Sequence, residues 1–181
     1  MKKKLAVAVA MLFTTGMGMA HAADGTINFT GTVTADTCTV AVNDQTNPTL
    51  NLGTVNTADL AAAGDTGPAT NFTLNLTSCP ETVTGASITF SGNTDGALNT
   101  AFTNEASASN AAKNVGVQLY DSSLKTVNPD TALDVTSFLT DNADKTAKSA
   151  AIPFTARMIA VADAATAGSI VSHADYTVSY Q

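Results

Sequence analysis

The residues of this chain with the widest chemistry open to them are Cys38, Cys79 and His173, with short runs of Asp and Asn around them. Two thiols serve as a disulfide, as a redox or nucleophilic pair, or as part of a metal site. Structural zinc takes four Cys or His ligands at close spacing. Two cysteines 41 residues apart, with His173 the one histidine beyond residue 22, make a poor set. Asp141-Asn142-Ala143-Asp144 resembles part of a calcium loop but lacks the glycine and distal glutamate of a twelve-residue site, which leaves a solvated turn. No G-x-S-x-G, H-E-x-x-H or phosphate-cradling glycine loop occurs. His173 falls at an outward position of an alternating segment, with no second histidine near it in sequence, so it reads as a solvent-facing residue. Asn28, Asn71 and Asn75 each begin a glycosylation sequon, a cheap match in a chain this rich in Asn and Thr, and no role is assigned to them.

The compartment decides what the thiols do. Lys2, Lys3 and Lys4 precede an apolar run of nine residues, Leu5 to Phe13, and Ala20-His21-Ala22 offers small residues at the −3 and −1 positions of a cleavage site. This is the pattern of a secretory signal over residues 1–22. The run is too short to span about 30 Å of hydrocarbon, and no Cys stands at the cleavage point for lipid attachment. In an exported chain, two cysteines form a disulfide between Cys38 and Cys79. Closing that loop restricts the unfolded chain by about 4 kcal/mol in the chain-entropy account. Cleavage removes three of the eight basic residues and none of the fifteen acidic ones, leaving a formal charge of −10. Such a surface excludes nucleic acid and anionic lipid as natural partners.

The elements that position these residues read as strands. Phe72, Leu74 and Leu76 alternate with Asn71, Thr73, Asn75 and Thr77; Ile88 and Phe90 alternate with Ser87, Thr89 and Ser91; Val115, Val117 and Leu119 alternate with Asn114, Gly116 and Gln118. Period-two patterns of this kind give half-buried strands. Polar clusters at 91–96, 128–130 and 141–144 supply the turns between them. The pattern predicts strands near 36–42, 50–53, 70–78, 85–91, 114–120, 132–136, 151–161 and 169–180, one helical turn at 57–63 capped by Thr57, and surface loops at 106–112 and 143–151. Many short strands without a linker or repeat make an all-β sandwich.

Two segments at opposite ends are the most informative. In residues 25–33, Gly25, Ile27, Phe29, Gly31 and Val33 share one face, and Thr26, Asn28, Thr30 and Thr32 share the other. Near the C-terminus, Ile170, Ala174, Tyr176, Val178 and Tyr180 share one parity, with Ser172 the exception. Gly168 is the fourteenth residue from the end, and Tyr180 is penultimate.

Gly168, the alternating strand and Tyr180 together resemble the C-terminal signature of type 1-like fimbrial subunits, the pilins of the chaperone–usher pathway. Cys38 with Cys79 preceded by Phe72-x-Leu74-x-Leu76 fits the same family, as do Leu52-Gly53-x-Val55, Val115-Gly116-Val117-Gln118-Leu119 and Phe154-x-Ala156-Arg157. The likeness runs over the whole mature chain. Phe154 and Met158 depart from it, standing where members often carry Tyr or another aromatic.

The resemblance implies an incomplete immunoglobulin-like sandwich lacking its last strand, over 37–181, preceded by an N-terminal donor-strand extension at 23–36. Gly168, Ile170, Ala174, Tyr176, Val178 and Tyr180 would border the groove this leaves. Gly25, Ile27, Phe29, Gly31 and Val33 would fill the groove of a neighbouring subunit. A periplasmic chaperone would lend a strand in transit and an outer-membrane usher would oversee its replacement, with no enzyme chemistry, cofactor, metal or nucleic acid. The product would be a cell-surface fimbrium used in adhesion. Between Val33 and Cys38 the chain spans at most about 3.6 Å per residue, which disfavours its folding back into its own groove. A glycan-binding tip adhesin is the alternative, but only 15 residues lie between the cleavage site and Cys38, too few for a receptor-binding domain. An exported hydrolase lacks a nucleophile–base pair.

Overall fold

The computed structural model describes residue 30 and residues 37–181. The signal segment 1–22 and all five donor-face positions, Gly25, Ile27, Phe29, Gly31 and Val33, lie outside the described residues. Among the described residues, eight strands form two antiparallel sheets. They are β1 (Thr39–Val42), β2 (Thr70–Pro80), β3 (Ala86–Ser91), β4 (Val115–Tyr120), β5 (Leu133–Asp134), β6 (Thr140–Asp141), β7 (Ala147–Ala160) and β8 (Asp175–Tyr180). The first sheet runs β1-β2-β7-β4, with β6 also on β7; the second runs β5-β3-β8.

The alternation of β2 does what its pattern dictates. Phe72, Leu74 and Leu76 are buried, and the residues between them face outward. Register sets Phe72 beside Phe154, Leu74 beside Ile152 and Leu76 beside Ala150, so one face of the sheet is continuously apolar. Phe154 joins the two layers: its ring stacks on Phe72 at 5.5 Å and meets the Phe90 ring of the opposite sheet edge-on at 5.1 Å. Both geometries suit the aromatic quadrupole.

Several expectations need correction. Gly116 and Gln118 of β4 are buried, not solvent-facing, because the chain around Phe102 covers that face. Phe102 and Val117 exchange backbone hydrogen bonds of 2.7 and 2.9 Å, and Ala101 packs with Ile159 and Val161 behind them. Gln118 is satisfied there by donating to the Thr100 hydroxyl at 2.7 Å and accepting from the Tyr120 hydroxyl at 2.6 Å. Residues 50–53 form no strand. Leu50 and Leu52 are half-buried, but Gly53 turns left-handed at φ +74°, its N–H taken by the Asn51 side chain at 2.9 Å. The turn at Thr57–Leu60 is 3₁₀, and Asn56, not Thr57, holds the cap position, without a side-chain bond. The Ala-rich stretch expected to be a loop over 143–151 becomes strand from Ala147 onward; Ala150 is buried opposite Leu76. The last strand begins at Asp175 rather than 169, since its partner β3 ends at Ser91, paired with Asp175.

The open flank of the sandwich

Cys38 and Cys79 are bonded to each other, which ties the start of β1 to the end of β2. β1 pairs with β2 alone and β8 with β3 alone, so among the described residues the outer edge of each carries no strand. These two edges lie on the same flank. Tyr176 of β8 donates its hydroxyl to the Thr46 carbonyl just beyond β1, at 3.0 Å. The Tyr180 phenol lies against the Cys38 backbone; burial pushes its pKa up, and the bond to that backbone draws it partly back. Farther along, Ile170 packs with Leu52 against Leu60, Val115 and Met158.

Burial along the flank is uneven in an informative way. Cross-strand neighbours on one face should share one environment. On β3, Ala86, Ile88 and Phe90 are buried. Their direct partners on β8, Tyr180, Val178 and Tyr176, pack against the same core yet stay only half-buried. The covering of the core therefore stops at β8. Val40, Leu50 and Leu52 across the flank are likewise half-buried. An unpaired backbone edge beside a half-covered apolar face is a template for another strand.

Of the residues singled out from the sequence, Ile170, Ala174, Tyr176, Val178 and Tyr180 all pack on the main core from this flank. Gly168 sits apart from that face, seven residues before β8, against residues 110–112. A Cβ there would stand 2.3 Å from the Ala112 nitrogen and 2.7 Å from the Asn110 carbonyl oxygen. Its lack of a side chain lets Ser169 bridge to Ala111, with Ser169 N–H donating to Asn110 O at 2.6 Å and Ala112 N–H to Ser169 O at 2.9 Å. The extended approach to β8 is further held by Asn104, which bonds the Ser169 carbonyl and the Val171 N–H, and by the Glu105 N–H on the Val171 carbonyl. His173 precedes the last strand instead of lying in it, and it has a partner: its Nδ1 is 2.6 Å from Glu105 Oε2. The bond from Asn93, then that from His173, lowers the Glu105 pKa. Thr46, Asn104 and Glu105 carried no signal in the sequence, because each acts through a contact that only the tertiary fold creates.

The fold is thus a two-sheet, all-β, immunoglobulin-like sandwich left incomplete along one flank. The chain belongs to the fimbrial protein family, whose model matches residues 27–181. It is similar to the type-1 fimbrial protein C chain of Escherichia coli, 36% identical over 160 residues, covering 87% of this chain and 83% of that one. It is also similar to the major fimbrial subunit SMF-1 of Stenotrophomonas maltophilia (strain K279a), 36% identical over 167 residues, covering 89% and 95%. Among solved structures, the P pilus rod subunit PapA shares the fold, with a TM-score of 0.61 at 17% identity over 86% of this chain and 100% of that one. The protein is thus a structural subunit of a fimbria, and the adhesin alternative is not favoured.

Proposed function

We propose that the subunit polymerises by donor-strand exchange. Residues 25–33 of one copy lie along the free edge of β8 in the next, with Gly25, Ile27, Phe29, Gly31 and Val33 turned toward the half-covered core. The observation that carries this reading is the contrast between buried Ile88 and Phe90 on β3 and half-buried Val178 and Tyr176 opposite them. A strand added outside β8 would bury that face and pair its backbone. Burying Ile27, Phe29 and Val33 contributes about 1.5–3 kcal/mol each. Residues 1–22 are a signal removed on export, the chain passes through the periplasm with a chaperone's strand in the flank, and an outer-membrane usher exchanges that strand for the next subunit's. No catalysis, cofactor or metal is part of this scheme.

The test is Gly31→Leu. A leucine there meets the groove where the donor face is smallest, so assembly should be impaired. Capture by the chaperone should survive, because the chaperone engages the groove and not the extension. Fibres of normal length from this variant would count against the donor register.

A further inference from the structure

We propose that the Tyr176 hydroxyl is a strap across the open flank, which holds the unassembled subunit shut and limits the rate at which a donor strand enters. The inference rests on the donor-strand reading above. Tyr176 belongs to the second sheet, opposite Phe90. Its hydrogen-bond acceptor, the Thr46 carbonyl at 3.0 Å, follows the turn that closes β1 of the first sheet.

That acceptor is firmly placed. β1 ends in a tight turn through Asn43 and Asp44, both left-handed at φ +48° and +63°. Val42 and Gln45 exchange backbone bonds of 2.8 and 2.9 Å across the turn. The turn is pinned to β2 three times: Asn43 N–H donates to Thr73 O at 2.9 Å, Thr73 N–H to Asn43 Oδ1 at 2.9 Å, and Asn75 Nδ2 to Asp44 Oδ1 at 3.0 Å. Residue 46 therefore moves with the first sheet and Tyr176 with the second. Their bond spans the gap that a new strand has to occupy. Tyr180 makes a second contact at Cys38, on the other side of β1, and Val178 lies between the two tyrosines. The Tyr176 bond is open to solvent, so water can replace it and breaking it is a modest barrier.

Tyr176→Phe keeps the ring on the core and removes only the O–H. Fibre growth is followed by light scattering with full-length mature subunit, at equal concentrations of wild type and variant. Far-UV circular dichroism confirms that both are folded. Dissociation of finished fibres is measured in parallel, since a purely structural role would weaken the fibre without speeding its growth. Growth should be faster in the variant by about threefold to tenfold, the factor that one net hydrogen bond represents, with fibre dissociation unchanged. Growth within twofold of wild type, slower growth, or faster dissociation without faster growth overturns the strap. If the wild-type chain forms no fibres at all, the donor-strand reading itself falls and the strap with it.

Discussion

Gly168→Ala adds one methyl group at a place where the structure has no room for it. The new Cβ would stand 2.3 Å from Ala112 N, 2.6 Å from the Ala111 carbonyl carbon and 2.7 Å from Asn110 O, all of them backbone atoms. Real contacts need about 3.4 Å or more, so the two segments have to part by roughly 1 Å. That separation breaks or stretches the bonds from Ser169 to Asn110 and from Ala112 to Ser169. Two hydrogen bonds at about 0.5–1.5 kcal/mol each, with an overpacking cost of about 1–3 kcal/mol, give a loss of about 2–6 kcal/mol. Ile170, which packs on two of the core clusters, is displaced with the segment. For a domain of this size each kcal/mol lowers the melting temperature by about 2–4 °C. Thermal melts of the mature subunit followed by circular dichroism should therefore show a drop of at least about 4 °C, and a urea melt should show a lower midpoint. A variant within 1 °C of wild type would mean that residues 110–112 yield freely and that the steric argument is wrong.

Reducing the Cys38–Cys79 bond should cost about 4 kcal/mol, read as a lower urea midpoint; the unreduced chain should weigh two hydrogens less than the dithiol, and equal midpoints would contradict the role given to the bond. Burial raises the phenol pKa of both Tyr120 and Tyr180. The stability linked to them is fully present below the unfolded value of about 10 and is lost as pH rises through their higher folded values. Unfolding should thus become easier above about pH 10, with the residue-resolved phenolate signals of Tyr120 and Tyr180 appearing together with loss of structure; signals of these two residues that rise at the ordinary pH in a still-folded chain would refute this.

Much of the sandwich is written in single strands. β2, β3 and β8 alternate cleanly because each has one face on the core and one on water, and that is a local property of sequence. β4 misleads because its second face is covered by Phe102 and Ala101, which arrive from a loop without periodicity. The start of β7 is hidden because alanine favours strands poorly; Ala147–Ala151 becomes strand because β2, through Asn75, Leu76, Cys79 and Pro80, and β6 offer it partners. Residues 50–53 show the reverse, a strand-like pattern that pairs with no strand among the described residues. At the flank, the parity of Ile170, Ala174, Tyr176, Val178 and Tyr180 is legible. The backbone partners of the Tyr176 and Tyr180 phenols are not, since the chain segments that supply them lie more than a hundred residues away.

On the donor-strand reading, the flank beside β8 lacks a strand that the extension of another copy supplies. A subunit beginning at Thr37, with a synthetic peptide spanning Asp24 to Ala35 added in trans, tests this most directly in a denaturant melt. Alone, this subunit should be far less stable than its length leads one to expect. The peptide should raise its midpoint by mass action, by about 2.7 kcal/mol at a hundredfold excess over the dissociation constant, and should slow its unfolding. A scrambled peptide, which breaks the alternation of Ile27, Phe29 and Val33, should do neither. A shortened subunit that is already stable by itself, and that the native peptide leaves unchanged, would contradict the account and favour a self-contained sandwich.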